Sequence, residues 1–170
     1  DVSDFDAVQK AGEKILADFG RCDILVNNAG ITRDATLMRM TYDMWDEVMR
    51  VNLGGCFNMA KAVFPGMKDR GWGRIVNIIS TSVKEPITML GVSNTIRGAV
   101  ASWAKTLAGE LAADGITVNN VLPGYTRTQR LEQILKERAA ATGKSEENIA
   151  AAMLAMGICC RPAASTEKRY

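Results

Sequence analysis

Hydrophobic positions along the chain switch repeatedly between a helical spacing and the short apolar runs that are typical of buried strands. The helical spacing covers residues 4–19, 41–70, 93–113, 129–140 and 146–156. The apolar runs lie at 24–26, 75–79 and 116–121. Strands that alternate with helices pair in parallel through right-handed crossovers. The pattern therefore predicts an α/β fold, with a parallel sheet that has helices on both faces.

Capping residues and glycines set the expected ends of these helices. Ser3 supplies a cap oxygen with acidic residues behind it, and Gly20 is a natural stop. Thr41 is predicted to cap the second helix and Ser145 the last, and Gly115 ends the third. The second helix carries this apolar stripe: Trp45, Val48, Met49, Leu53, Phe57, Ala60 and Val63.

Three strands are few for a parallel sheet, because such sheets are normally covered on both faces and protected at their edges. Residue 1 is Asp and not Met. We therefore expect a partial sheet-forming domain over residues 1–156, with the first strands and the final strand missing. Residues 157–170 follow neither spacing and are expected to form an irregular tail.

Composition excludes several classes of function. A formal charge of +2 over 170 residues gives no basic surface for nucleic acid. No apolar run is long enough to span a bilayer, so we expect a cytoplasmic protein without a membrane partner. The chain has no histidine, which removes Ser-His-Asp catalysis and every imidazole base.

The four cysteines indicate no metal site and no disulfide framework. Cys22 and Cys56 are far apart, Cys159 and Cys160 are adjacent, and no pair has C-x-x-C spacing. We interpret them as free and mostly buried thiols.

Chemistry is concentrated directly after the three predicted strands. Asn27-Asn28-Ala29-Gly30 follows the first strand, Ser80 the second and Pro123-Gly124 the third. Ligands of open α/β sheets bind outside the carboxyl ends of the strands. Ala29 and Gly30 also let backbone approach a ligand where a larger side chain would collide. The spacing therefore predicts one ligand crevice at this edge of the sheet.

The chain resembles the short-chain dehydrogenase/reductase family from Asp1 to about Met156. The resemblance lies in Asp1-Val2, the N-N-A-G segment, Asn52 within V-N-L-G-G, Ser80 after I-V-N-I-I, and Pro123-Gly124 followed by Thr128. It implies a Rossmann-type doubly wound sheet and an oxidoreductase that uses NAD or NADP. The segments 31–40 and 70–78 look most like 3-oxoacyl-carrier-protein reductases and acetoacetyl-CoA reductases, which implies an acyl thioester or other carbonyl substrate and a homotetramer.

The resemblance also implies roles for individual residues. Asn52 would hold a water in a proton relay, and Ser80 would hold the substrate oxygen. The cofactor would be contacted by Asp1, Asn28, Ala29, Gly30, Arg97, Pro123, Gly124 and Thr128. The family's glycine-rich phosphate turn would precede Asp1 in chain order, and the choice between NAD and NADP is not readable.

The sequence departs from the family at the proton donor, the Tyr of Y-x-x-x-K. Both the count from Ser80 and the wording of the following helix place Ser93 and Arg97 at those positions. Arg97 keeps a positive charge that can bind ribose. Ser93 is a weaker acid than a phenol and is shorter by a ring. Losing positioned acid catalysis costs about 10²- to 10⁴-fold in rate.

Three explanations of this departure remain open. Tyr125 could replace the missing donor, or the chain could belong to a divergent subgroup with a slower or different reaction. The chain could also be a cofactor-binding or interaction protein without catalysis. A non-functional fragment of such an enzyme is a further alternative, favoured by the unfamiliar tail after Gly157.

Simpler structural interpretations accompany each site residue. Asn27 and Asn28 could only tie down a turn, Asn52 could mark a helix kink, and Ser80 could be a plain loop serine. Pro123-Gly124 could be only a turn. We interpret Ser93 as a helix N-cap with Arg97 as a surface charge. We interpret Arg33 and Asp34 as solvated charges.

Overall fold

The computed structural model describes residues 1–124 and 129–155. The helices are α1 (Phe5–Phe19), α2 (Tyr42–Met49), α3 (Gly55–Asp69), α4 (Gly91–Leu111), α5 (Gln129–Thr142) and α6 (Glu146–Ala155). The strands are β1 (Ile24–Asn27), β2 (Gly73–Ile78) and β3 (Ile116–Val121). In this part of the chain no helix is long and apolar enough to cross a membrane. The predicted α/β alternation is confirmed.

The three strands form one parallel sheet in the order β1-β2-β3. Leu25, Ile75 and Val118 lie side by side in register on one face. Side chains of α3 and α4 pack on these three residues and form a core with them: Ala60, Val63, Met67, Ala104 and Leu111. A parallel sheet needs such helices because its connections cross over one face.

A row of side-chain amides crosses the sheet at its carboxyl end. Asn27, Asn77 and Asn120 are register partners on the face that carries the core. The Asn27 amide nitrogen donates to Asn77 Oδ1 at 2.9 Å, and the Asn77 nitrogen donates to Asn120 Oδ1 at 3.1 Å. Asn77 is 1% exposed, so each hydrogen bond replaces water that the central residue has lost.

The opposite face of the sheet is largely bare. Ile24 is 58% exposed, Val26 55% and Val121 47%. The apolar run at 24–26 had predicted a strand buried on both faces, and that prediction is wrong for β1, where only Leu25 is buried among the three. The reason is that α3 and α4 both pack on the other face.

Most helix ends agree with the capping residues, with two shifts. Thr41 Oγ1 accepts from Met44 N at 3.2 Å, and Gly20 ends α1 with φ +75°. Asp4, and not Ser3, caps α1 by accepting from Ala7 N at 3.0 Å. Helix α4 begins at Gly91 with Leu90 as its cap residue, so Ser93 lies inside the helix.

The second predicted helix is interrupted by a π-helical segment, Arg50–Gly54, between α2 and α3. An extra residue in a turn changes which side chains face the core. Val48, Ala60 and Val63 are buried as expected, whereas Trp45 is 37% and Phe57 50% exposed. The single stripe drawn through both helices is therefore wrong at these two aromatic positions.

The chain divides into two compact units, residues 1–122 and 123–170. In the described part of the second unit, Leu131, Ile149 and Met153 form the buried contact between α5 and α6. Gly143, at φ +68°, makes the turn between them, and Ser145 Oγ caps α6 by accepting from Asn148 N at 3.2 Å. The expected irregular tail lies outside the described residues.

Replacing Asn77 with alanine tests the amide row. The change leaves the Asn27 nitrogen and the Asn120 oxygen without their partner, so we expect unfolding to cost about 1–3 kcal/mol less. The measurement is urea denaturation of the purified chain.

Asn119→Ala is the matched control, because Asn119 is exposed on the other face of β3. Equal losses in both variants would contradict a special contribution from the row.

Candidate functional site

The segment after β1 leaves the sheet as an exposed stretch, Asn28-Ala29-Gly30. Gly30 lies against Asn52: a Cβ built on Gly30 would stand 3.2 Å from Asn52 Oδ1. That distance is shorter than an ordinary van der Waals contact. The small residue is therefore what allows the strand exit and the π segment to approach each other.

Asn52 fixes this strand exit through its side chain. It is 3% exposed, its Oδ1 accepts from Ile31 N at 2.8 Å, and its Nδ2 donates to Ile31 O at 2.9 Å. Two hydrogen bonds to one backbone unit hold the chain as a β ladder would. Asn52 thus lies in a π segment, and its buried amide has a definite structural partner.

A cavity of about 70 Å³ opens beside the end of β1. Val2, Asn28, Ala29, Gly55 and Cys56 are among the residues that line it. A Cβ on Gly55 would stand 2.7 Å from Val2 Cγ2, so glycine is required where α3 begins. Asp1 is exposed, and its Oδ1 accepts from Ser3 N at 2.9 Å.

Cys56 is the buried thiol of this region. Its Sγ donates to Asn52 O at 3.1 Å. Burial raises the pKa of the Cys56 thiol, and the positive charge of Arg97 opposes that shift. Arg97 therefore acts electrostatically at the same place where Asn52 and the cavity meet. Cys56 and Cys22 are both free, as predicted, whereas Cys159 and Cys160 lie outside the described residues.

Arg97 is half-buried and extends from α4 towards the end of β2. Its Nη1 donates to Ile78 O at 2.8 Å. The interpretation of Arg97 as a surface charge is wrong, because its guanidinium lies over the strand end that leads to Ser80.

Ser93 is bound to Asp34, a residue from the segment after β1. The Ser93 hydroxyl donates to Asp34 Oδ2, and Ser93 N donates to Asp34 Oδ1 at 3.1 Å. The interpretation of Ser93 as an N-cap is wrong, since it is the third residue of α4. Asp34 instead caps this helix from a distance, where a carboxylate is favoured by free amides and by the helix dipole.

The neighbouring charges of this segment are also paired. Arg33 Nε donates to Glu47 Oε2 at 2.9 Å, and its Nη2 donates to Oε1 at 3.3 Å. Neither Arg33 nor Asp34 is therefore the simple solvated charge that the sequence suggested.

Ser80 directly follows the Ile78-Ile79 end of the second strand and is partly buried. Its Oγ accepts from Ser82 N at 3.1 Å. A hydroxyl that accepts in this way keeps its hydrogen for donation to another oxygen. Ser80 is therefore positioned by its own turn, with donor capacity remaining.

These residues surround one apolar cluster. The chain neighbours of Gly30, Asn52, Ser80, Ser93 and Arg97 all belong to it: Ile31, Leu53, Ile79, Val92 and Ile96. The strand ends, the π segment and α4 are thus fixed around a common core. Polar residues adjacent to these positions border the same crevice.

Part of the predicted site falls elsewhere. Pro123 and Gly124 follow β3 and belong to the second unit. Tyr125 and Thr128 lie outside the described residues. The contribution of these four residues to a site stays a prediction.

Sequence reasoning missed Asp34 and the row of amides. Asp34 gave no local signal, because its partner Ser93 is 59 positions away. The row had a signal: each of the three apolar runs carries an asparagine near its end, at Asn27, Asn77 and Asn120. A polar residue repeated at one level of a sheet predicts pairing across the strands.

Comparison with known proteins identifies the family. The family model for short chain dehydrogenases matches residues 1–139. The chain therefore belongs to the short-chain dehydrogenase family, as its resemblance implied.

Named relatives narrow the comparison. The acetoacetyl-CoA reductase of Cupriavidus necator is 42% identical over 138 residues, which cover 80% of this chain and 55% of that protein. The 3-oxoacyl-[acyl-carrier-protein] reductase FabG of Haemophilus influenzae is 41% identical over 143 residues, with 82% and 57% covered. The chain thus spans little more than half the length of these relatives.

Solved structures agree with the fold. A gluconate 5-dehydrogenase from Burkholderia cenocepacia, in complex with NADP and tartrate, superimposes with a TM-score of 0.76 at 39% identity, covering 82% of this chain and 55% of that one. ElxO with NADP bound also gives 0.76, at 30% identity, with 81% and 56% covered. The three-stranded sheet and its helices therefore correspond to part of a Rossmann-type fold.

A double-mutant cycle on Asp34 and Ser93 tests the link between the β1 exit and α4. We expect Asp34→Ala and Ser93→Ala to lower the free energy of unfolding non-additively. The coupling should be about 1 kcal/mol or more, because a hydroxyl–carboxylate bond is charge-assisted.

The measurement is urea unfolding of the four proteins of the cycle. Additive losses would mean that the Ser93 hydroxyl contributes nothing through Asp34.

Proposed function

We propose that this chain forms part of an NAD(P)(H)-dependent oxidoreductase that transfers hydride between nicotinamide and a carbonyl or secondary alcohol carbon. The observation that supports this most strongly is the arrangement of Asn52, Ser80 and Arg97 around one cluster at the strand ends. Ligands of open α/β sheets bind at this edge. Membership of the family supplies the reaction class.

We propose a separate role for each described site residue. Ser80 donates its hydroxyl hydrogen to the substrate oxygen, which polarises the carbonyl carbon for hydride attack. Arg97 binds a hydroxyl of the cofactor ribose. Asn52 holds a relay water through its backbone carbonyl, because its side-chain amide is bonded to Ile31. Asp1, Asn28, Ala29 and Gly30 line the cofactor.

The proposal extends to residues of the second unit, where Pro123, Gly124 and Thr128 would contact the nicotinamide end. The cofactor itself supplies the hydride, and the residues of this chain bind and orient it. The small cavity beside β1 fits this use, since glycine at position 55 keeps it open next to Val2.

We propose a 3-oxoacyl thioester as the substrate. Support comes from the relatives, which are named as reductases of acetoacetyl-CoA and of 3-oxoacyl-[acyl-carrier-protein]. Assembly as a homotetramer and a cytoplasmic location are proposed on the same family grounds.

The hydrogen bonding of Ser93 favours a second candidate, a cofactor-binding protein without catalysis. The Ser93 hydroxyl hydrogen is directed at Asp34 and not at a substrate. A hydroxyl held in this way supplies no proton to a developing alkoxide.

Titration with NADPH and NADH, followed by nicotinamide fluorescence, tests cofactor binding. We expect Arg97→Ala to weaken binding about 10-fold, since a lost charge-assisted hydrogen bond is worth about 1.5–3 kcal/mol. Lys105→Ala, at an exposed position of the same helix, should bind like the natural sequence. Absence of binding in a chain that melts cooperatively would contradict the proposed function.

Addition of acetoacetyl-CoA to the cofactor complex tests catalysis. We expect the double substitution Ser93→Tyr with Arg97→Lys to raise turnover by about 10²- to 10⁴-fold, because it restores a phenol with a cation one helical turn away. Thr95→Tyr, an exposed position on the same turn, is the control.

Turnover by the unchanged chain that is lost in Tyr125→Phe would assign the donor to Tyr125. Cofactor binding without turnover in every variant would support the non-catalytic alternative.

A further inference from the structure

The second unit contains an open groove between α5 and α6. Its volume is about 400 Å³, within the range of about 300–1,000 Å³ that is usual for small-molecule sites. Ile149, 8% exposed, and Met153, 2% exposed, form its floor. The floor is therefore apolar and already part of the packed contact between the two helices.

Basic side chains stand at the rim of this groove. Arg138 of α5 and Lys144 of the connecting turn both line it, as do Thr142 and Asn148. The described lining residues carry two positive charges and no negative charge. Glu146 and Glu147 are exposed in the first turn of α6 and are not among them.

Local structure brings these groups together. Arg138 and Thr142 are one turn apart on α5, and the Thr142 hydroxyl donates to Arg138 O at 2.6 Å. Gly143 then reverses the chain, with its N donating to Ala139 O at 2.9 Å. This turn places Lys144 directly before α6, whose Asn148 and Ala152 continue the wall one turn apart. The cationic rim and the apolar floor thus belong to one helix–turn–helix unit.

We propose that this groove binds an amphipathic anion, with a carboxylate or phosphate head between Arg138 and Lys144 and a short alkyl chain on Ile149 and Met153. Charge complementarity selects the head, because arginine and lysine bind these groups through charge-assisted hydrogen bonds. Apolar contact with the floor selects the chain. The inference is independent of nucleotide binding and of the proposed oxidoreductase function.

Binding is tested on the whole chain by calorimetric titration with three probes of equal chain length: octanoate, octyl phosphate and octanol. The two anions are expected to bind at least about 10-fold more tightly than octanol. A preference between octanoate and octyl phosphate identifies which head group the rim favours.

Substitutions then locate the site. The double change Arg138→Ala with Lys144→Ala should weaken both anions at least about 10-fold and leave octanol unchanged. Ala152→Trp, at an exposed wall position, should block all three probes by filling the groove. Lys136→Ala is the control, because Lys136 is an exposed cation of α5 that is not among the lining residues.

Three results would overturn the proposal. These are equal affinity for octanol and the anions, equal losses in the Lys136 control and the double variant, and no binding by a chain whose circular dichroism shows its helices. Since no probe contains a nucleotide, each result leaves the test of cofactor binding unaffected.

Discussion

The amide row Asn27–Asn77–Asn120 is the constraint on which the rest of the first unit depends. Its hydrogen bonds of 2.9 and 3.1 Å join all three strands at one level, and its central residue is almost fully buried. A register shift by one residue would turn these amides to the other face and leave them unpaired. The row therefore fixes where each strand ends, and with it the points from which the functional segments leave the sheet.

From that fixed edge, a second contact determines the shape of the crevice. Asn52 binds both backbone groups of Ile31, and Gly30 permits the approach that this requires. A π segment turns Asn52 inward between α2 and α3, which costs α3 the phase of an ordinary helix. The exposed Phe57 is a consequence of that shift. Local irregularity at this position thus serves the site and not the packing.

The pair formed by Ser93 and Asp34 sets the chemistry apart from that of a tyrosine-dependent relative. A phenol has an intrinsic pKa of about 10 and can reach the substrate, whereas the serine hydroxyl is shorter and already donates to a carboxylate. Asp34 at the same time supplies the cap that Leu90 lacks. The contact has a stabilising role whether or not the crevice catalyses a reaction, which explains how the fold keeps α4 in place without a tyrosine.

The sequence by itself determined the α/β alternation, the capping by Thr41, the turns at Gly20 and Gly115, and the position of Asn28 and Ser80 after strands. These features depend on periodicity and backbone preference, which act over a few residues. Only the tertiary structure decided that β1 is bare on one face, that Arg97 turns to Ile78, and that Asp34 meets Ser93. Such contacts join residues 19 to 59 positions apart, and they depend on which faces the helices cover. Local pattern carries no information about that choice, because the same side chain satisfies it equally well in solvent or in a crevice.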